Sequence, residues 1–200
     1  MISVPRLYAS QCAKSINCEP LAKGINALEA DEKLNILGQV QGAFMIGDAV
    51  LNIRWAASEA HKRKIISAIT CRMVAVNKFP HDLSMALAEM VIEEVAGTKR
   101  CKKCNGTGEV FSKKQSKYNQ CGLCKGAGQV TMTHEKVLSQ INNHLRNNGS
   151  GLIVSKEDWS KKYYDFWMEY VDELHKAEAD AARYAKQLLR RIEDSWCEVG

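Results

Sequence analysis

Residues 101–110 read CKKCNGTGEV and residues 121–130 read CGLCKGAGQV, so the chain spells Cys-x-x-Cys-x-Gly-x-Gly twice. Two Cys-x-x-Cys pairs with a short segment between them have the spacing of a four-thiolate zinc site. The glycines after each pair allow the backbone to turn tightly and to approach the ion. The sequence therefore predicts one structural Zn²⁺ ion. Its predicted ligands are Cys101, Cys104, Cys121 and Cys124.

Four thiolates close a tetrahedron around zinc, which leaves no coordination position for water and makes the predicted site structural. Zinc binding contributes roughly 10 kcal/mol or more to small modules that lack an apolar core. A thioredoxin-like redox pair needs only one Cys-x-x-Cys, and the spacing is not that of a ferredoxin cluster. The other four of the eight cysteines are scattered, and we expect them to stay reduced. They are Cys12, Cys18, Cys71 and Cys197.

Basic residues are concentrated around the paired cysteines. The net charge of the whole chain is +5, yet within residues 99–125 eight Lys and Arg face Glu109 as the only acidic residue. Such a block favours contact with a polyanion, in particular nucleic-acid phosphates. The alternative is that the lysines only keep this segment soluble. The lysines predicted to contact DNA are Lys102, Lys103, Lys113, Lys114, Lys117 and Lys125.

The remaining composition excludes several classes of protein. With 46% hydrophobic and 26% charged residues, the chain is expected to fold as a soluble protein. It has no apolar run of about 18 residues and no N-terminal signal-peptide pattern, so we expect a cytoplasmic protein without a membrane partner. It also lacks a phosphate-cradling Gly-x-x-x-x-Gly-Lys and a nucleophile elbow. We therefore expect a binding protein and not an enzyme.

Outside the cysteine block, apolar residues recur at three- and four-residue steps, which predicts a mainly α protein, a helical bundle. Residues 1–24 lack this period and are expected to form a flexible N-terminal arm. An N-terminal helical region is predicted over residues 25–97. Its first helix carries three glycines that weaken it and that could admit a second helix. Its last helix, residues 83–96, follows a break at Pro80 and could be capped by Asp82.

The finger itself is predicted over residues 98–130 as a short β-hairpin, with strand-prone EVF and QVTM stretches after the two glycine turns. Residues 131–151 are predicted to form a helix capped by Thr133 and followed by an NNGSG turn. Residues 152–200 form a second helical region with Ser155 as its N-cap. An apolar and aromatic stripe continues from Trp159 to Ile192. The pattern leaves open whether this region is one helix or two.

The paired motif resembles the zinc-binding repeats of DnaJ-type chaperones. Those proteins carry four copies, whereas this chain has two and lacks the His-Pro-Asp signature of a J domain. The resemblance covers about thirty residues. A DnaJ-like zinc-knuckle chaperone is therefore one alternative function.

A broader resemblance is to the late-gene antitermination Q proteins of lambdoid bacteriophages, in the lambda-type branch. The residues that carry it are CKKCNGTG and CGLCKGAG in the finger, GQVQGAF at residues 38–44, KRKIISAI at residues 62–69, and Trp159. The similarity runs over roughly residues 35–190. The first thirty residues and the tail beyond about residue 180 depart from it.

This resemblance implies a helix-turn-helix interrupted by the four-cysteine zinc finger, with residues 83–96 as its first helix and residues 134–147 as the recognition helix in the major groove. It also implies that the protein binds double-stranded DNA near a phage late promoter in the host bacterial cell. The implied DNA-contacting residues of the recognition helix are His134, Lys136, Gln140, Asn143 and Arg146.

The resemblance further implies transcription antitermination. Such a protein loads onto bacterial RNA polymerase holoenzyme at a sigma-dependent pause and suppresses pausing and termination, which switches on late genes. The acidic, aromatic C-terminal region and the helices before Asn77 would then be candidate polymerase-facing surfaces. The alternative within the same broad class is a zinc-containing DNA-binding activator or repressor without antitermination.

Overall fold

The structure is a computed structural model. It describes residues 3–9, 30–97, 103, 109–112, 117–123 and 132–198. Within these ranges the fold is mainly helical, as the apolar periodicity predicts. The elements in chain order are α1 Val4–Ala9, α2 Ala30–Ala43, α3 Met45–Ala56, α4 Glu59–Ala75, α5 His81–Ala96, β1 Glu109–Ser112, β2 Lys117–Gln120, α6 His134–Asn147, α7 Lys156–Asp158 and α8 Tyr164–Glu198. A π-helical turn, Trp159–Tyr163, joins α7 to α8.

The first helix lies in the segment that the sequence assigns to a flexible arm. Helix α1 buries Leu7 and Tyr8, which are 2% and 0% exposed, and contacts α3 and α8. The Tyr8 hydroxyl donates a 2.7 Å hydrogen bond to Asp48 Oδ1. A helix of six residues is not stable by itself, so these tertiary contacts hold it. The flexible-arm expectation therefore does not hold for residues 4–9, and residues 10–24 lie outside the described ranges.

The predicted first helix of the N-terminal region is divided in two at Phe44. Phe44 has φ −138° and ψ 57°, between the end of α2 and the start of α3. Its ring lies 5.4 Å from that of Tyr184, so the break is stabilised by an aromatic contact with α8. Helix α2 buries Ile36 and Val40, while Leu34, expected in the same stripe, is 67% exposed.

Helices α3 and α8 approach closely at Gly47. A Cβ on this glycine would overlap the Ala177 carbonyl group and lie 2.7 Å from Ala181 Cβ. The expectation that a glycine here admits a second helix is thus confirmed at Gly47. At Gly38 and Gly42 the position that a Cβ would occupy has nothing within 4 Å, so these two glycines serve no such contact.

The buried residues form two apolar clusters. The smaller joins α1, α2 and Leu51 of α3 to the later turns of α8. The larger contains residues of α3, α4, α5, α6 and the first turns of α8. Helix α5 lies at its centre and contacts α3, α4, α6 and α8. The buried residues of α5 are Leu83, Ser84, Ala86, Leu87, Ala88, Val91, Ile92, Val95 and Ala96.

Two of the three predicted helix caps are present. Thr133 Oγ1 accepts a 3.3 Å hydrogen bond from the Lys136 amide, and Ser155 Oγ accepts one of 3.0 Å from the Asp158 amide. Helix α5 instead begins with Pro80 at its N-cap. Asp82 therefore lies inside the first turn, where its charge still favours the positive end of the helix.

The C-terminal region is a single helix, which settles the alternative that the sequence leaves open. Helix α8 runs unbroken over 35 residues. It stays amphipathic throughout, burying Trp167, Leu174 and Leu189 at 3%, 4% and 2% exposure. Across the described part of the chain, none of the helices contains an apolar stretch of membrane-spanning length.

We predict opposite effects of alanine at two glycines. Gly47→Ala should lower the free energy of unfolding by about 1–3 kcal/mol, because its methyl group overlaps the backbone of α8. Gly38→Ala, in open space on α2, should raise it by up to about 1 kcal/mol through helix propensity. Urea denaturation of both variants measures the difference. Equal effects at the two positions would contradict the close α3–α8 crossing.

Candidate nucleic-acid interface

Helices α5 and α6 pack against each other. Helix α6 directs Val137, Ile141 and Leu145 into the larger cluster, at 1%, 0% and 0% exposure. At the flank of this contact, His144 Nδ1 lies 2.8 Å from Glu89 Oε2 on α5. The His144 side chain is only 17% exposed. It is therefore a connector between the two helices, a role that its spacing in the sequence did not indicate.

Between α5 and α6 the chain forms a β-hairpin. Strands β1 and β2 are antiparallel, with Glu109 opposite Gln120 and Ser112 opposite Lys117. The predicted hairpin is confirmed, and β1 coincides with the strand-prone EVF stretch. The second described strand is KYNQ. Of the strand-prone QVTM stretch, Met132 lies in no regular element and residues 129–131 fall outside the described ranges.

Of the four predicted zinc ligands, the structure describes Cys121. It follows β2 directly and is fully buried, at 0% exposure. Cys101, Cys104 and Cys124 lie outside the described residues. The described residues, which lack these three, contain no group of three His, Cys, Asp or Glu side chains arranged for a metal ion.

Two of the six predicted DNA-contacting lysines of the finger fall on described positions. Lys103 lies in a turn and is exposed, and Lys117 begins β2. The other four lie outside the described residues, namely Lys102, Lys113, Lys114 and Lys125. The predicted phosphate contacts of the finger therefore remain predictions.

Helix α6 brings three of its five predicted DNA-contacting residues together. Lys136, Asn143 and Arg146 are exposed, and their spacing of seven and three residues places them on the outer side of α6, away from the core. Neither Lys136 nor Arg146 forms an ion pair with another described residue, whereas Glu135 at the flank is paired with Lys156 at 3.2 Å. The outer face of α6 is therefore free to receive an anion.

His134 is directed away from this outer face, whereas Gln140 borders it, four residues after Lys136 and three before Asn143. The His134 ring stacks on Tyr164 of α8, with ring centroids 3.9 Å apart and an interplanar angle of 27°. Gln140 is half-buried, and its Oε1 atom is enclosed without a hydrogen-bond partner. The stacking turns His134 towards α8, which residue type alone did not reveal. The predicted DNA contacts of His134 and Gln140 stay predictions.

The last turn of α5 holds both ends of the finger segment in place. The Arg54 guanidinium on α3 donates to the Val95 carbonyl and forms a 3.0 Å ion pair with Glu178 Oε2 on α8. The Met132 amide, where the chain returns to α6, donates to Glu94 Oε2 at 3.3 Å. These residues position the root of the finger, and the sequence analysis did not single them out.

Burial governs the charge of Glu178 in this arrangement. Glu178 is 8% exposed, and desolvation raises the pKa of its carboxyl group, although the nearby Arg54 guanidinium lowers that pKa by a smaller amount. A carboxylate that is partly paired and largely removed from water costs folding free energy when it is charged. The Arg54–Glu178 pair thus orders the finger root at some cost in stability.

These features define a mainly helical protein with a cysteine-bearing hairpin inserted between two packed helices. A family model described as "Conserved hypothetical protein CHP02642" matches residues 93–194, just over half of the chain, and the protein belongs to this family. No curated protein matches the chain. The matched range begins in the last turn of α5 and includes the hairpin, α6 and most of α8. The matched range therefore contains the cysteine-bearing segment, α6 and most of α8, but only the last turn of α5.

We predict a specific pH dependence from Glu178. Because the pKa of Glu178 is raised in the folded state, the folded protein binds a proton more readily than the unfolded chain. An exposed glutamate has a pKa of about 4.3. The free energy of unfolding should therefore fall as the pH rises from that value through the pKa of the folded state. Glu178→Gln should remove this loss. Urea denaturation of both proteins between pH 4.5 and 8 measures it, and parallel curves would be evidence against the raised pKa.

Proposed function

We propose that the protein is a DNA-binding transcription antitermination factor. In this proposal α5 and α6 form a helix-turn-helix interrupted by a four-cysteine zinc finger, and the protein acts on bacterial RNA polymerase near a late promoter. It is a binding protein and not an enzyme. The proposal combines the geometry of the helix pair with the resemblance to the lambda-type Q proteins.

One observation carries the proposal: α5 and α6 are packed together although residues 97–133 separate them in sequence. A helix-turn-helix normally has a connection of three or four residues. Here the His144–Glu89 contact and the Met132–Glu94 hydrogen bond hold the helices together despite the long insertion. An inserted finger fits this arrangement because the chain leaves α5 and returns to α6 close to the same point, the last turn of α5.

The described part of the finger is compatible with a zinc site. Cys121 lies directly after β2 and is withdrawn from solvent, which is a suitable environment for a metal-bound thiolate. Two Cys-x-x-Cys pairs supply a thiolate donor set of the kind that zinc prefers. Cys101, Cys104, Cys121 and Cys124 would hold the ion. The ion would supply rigidity to a segment that has too few apolar residues to fold by burial.

Helix α6 is suited to the role of recognition helix. Its inner residues anchor it to the core, and its outer face presents Lys136, Asn143 and Arg146. Arginine can bond bidentately to guanine and asparagine to adenine in the major groove, and lysine to phosphates. The basic finger would add sequence-independent contacts to the DNA backbone.

The antitermination role rests on the wider resemblance. The GQVQGAF stretch covers the end of α2 and the Phe44 break, and KRKIISAI forms the central part of α4. These segments lie outside the DNA-binding unit, so their similarity supports a second partner besides DNA. A plain activator or repressor would need only the α5–finger–α6 unit. A DnaJ-like chaperone would need the knuckles but not the basic outer face of α6.

Zinc removal provides a test of the finger. Cys124→Ser should lose bound zinc, because three thiolates hold the ion far less well than four. Metal content measured by inductively coupled plasma mass spectrometry should fall from about one ion per chain to near zero, with weaker binding to a random-sequence DNA duplex. Cys71→Ser, at an exposed cysteine of α4, is the matched control. Equal zinc content in both variants would exclude the four-cysteine site.

Terminator readthrough tests the function itself. Purified bacterial RNA polymerase, started from a promoter fragment that binds the protein, should read through a downstream intrinsic terminator more often when the wild-type protein is present. Arg146→Ala should abolish most of this effect, because loss of one base contact costs about 1–3 kcal/mol of specific binding. Lys176→Ala, an exposed lysine of α8, is the control. Readthrough that never exceeds the protein-free level would reject antitermination, and a change in initiation alone would indicate an activator.

A further inference from the structure

An exposed apolar surface lies where the α4–α5 turn meets the beginning of α8. It consists of Val76, Phe79, Tyr163 and Phe166, and we name it the apolar shelf. The Phe79 ring contacts those of Tyr163 and Phe166 edge to face, at centroid distances of 5.2 and 5.4 Å. Val76 is 68% exposed and Phe166 36% exposed. The shelf is thus an aromatic contact left partly open to solvent.

The backbone beneath the shelf is firmly held. The Asn77 and Phe79 amides both donate to the Met73 carbonyl, at 3.1 and 3.3 Å. The Tyr170 hydroxyl of α8 donates to Asn77 Oδ1 at 3.2 Å. Tyr163 ends the π-helical turn, a local widening of the helix that changes the direction of the side chains after it. The shelf is therefore preorganised, which lowers the entropic cost of binding a partner.

Acidic side chains border the shelf along α8. Asp165, Glu169 and Asp172 are exposed at spacings of four and three residues, and none of them forms an ion pair with another residue in the described part of the chain. We name these three residues the acidic stripe. Asp165 is next to Phe166 in sequence, and Glu169 lies one helical turn beyond it.

Two of the cations near the shelf are paired. Arg72 contacts both carboxylate oxygens of Glu173, at 2.7 and 2.9 Å, and Lys162 pairs with Asp158 at 2.6 Å. Lys78, next to Phe79, donates to the Ala75 carbonyl, so the carboxylates of the acidic stripe outnumber the unpaired cation at the shelf. Such a surface repels the phosphates of nucleic acid and favours a basic protein segment.

We propose that the apolar shelf and the acidic stripe together form a docking site for a protein segment that presents an apolar side chain between lysine or arginine residues. The apolar side chain covers Phe79 and Phe166, and its basic neighbours pair with the stripe. This inference rests on the proposed function, in which the segment belongs to bacterial RNA polymerase.

The test is an affinity measurement with purified bacterial RNA polymerase. Full-length, zinc-loaded protein carrying a fluorescent label is titrated with the polymerase, and binding is followed by anisotropy. Phe166→Ser and Glu169→Lys should each weaken binding at least about tenfold, as expected for residues at the centre of an interface. Ile153→Ser, at an apolar residue that is 83% exposed elsewhere on the surface, should bind like the wild type. Affinity for a DNA duplex should be unchanged in all three.

A second variant controls for misfolding of the first. If circular dichroism shows that Phe166→Ser has lost helix, Val76→Ser replaces it, because Val76 is 68% exposed and its truncation disturbs little of the core. Wild-type affinity in the shelf and stripe variants would overturn the docking site while leaving antitermination intact. A wild-type protein that does not bind polymerase would overturn both proposals. A concentration-dependent dimer that Phe166→Ser abolishes would overturn the polymerase docking site and instead identify the shelf as a contact between copies of this chain.

Discussion

The burial of α5 on nearly all sides is the constraint on which the rest of the structure depends. Its buried residues extend around most of the helix, so neighbours must cover it from several directions. Helices α3, α4, α6 and α8 supply this cover. Because α5 is also the helix that leads into the finger, the packing that stabilises the core fixes where the finger begins. The position of the proposed DNA-binding unit is thus a consequence of core burial.

The polar contacts around the end of α5 connect this core to the proposed function. Arg54 and Glu178 bring α3 and α8 to the last turn of α5, and Glu94 holds the chain as it returns to α6. A buried ion pair with a raised carboxyl pKa adds little to stability. The Arg54–Glu178 pair instead fixes one arrangement of α3, α5 and α8 at the end of α5. These contacts fix where the chain leaves α5 and where it returns to α6, as the proposed inserted finger requires.

The long helix α8 joins the two apolar clusters. Its later turns pack on α1, α2 and α3 in the smaller cluster, and its first turns contribute to the larger one. The close crossing at Gly47 brings α3 against it. Between these contacts its outer surface carries the acidic stripe, on a different element from the basic finger and α6.

Sequence periodicity was sufficient for the helices whose apolar stripes are long. It predicted the helices at residues 83–96 and 131–151, because a helical stripe is a local property of spacing. It singled out EVF, which forms β1, but not KYNQ, since β-propensity does not decide which segment lies opposite in a short ladder. It also treated residues 4–9 as an arm, because so short a helix depends entirely on the distant Asp48, Leu51 and α8.

In the candidate site, too, some features follow from the sequence and others depend on the packing of the helices. The paired Cys-x-x-Cys motifs and the basic block are visible in the sequence because chemistry and charge are properties of residue type. Lys136, Asn143 and Arg146 were found for that reason and do lie on one exposed face. His134 and Gln140 were assigned to that face as well, and only the packing of α6 shows that the His134 ring stacks on Tyr164 while Gln140 is half-buried at its border. The sequence by itself determined which residues are candidates to bind zinc and phosphate. The tertiary structure decided which of them lie together, because the direction of a side chain depends on what covers its helix.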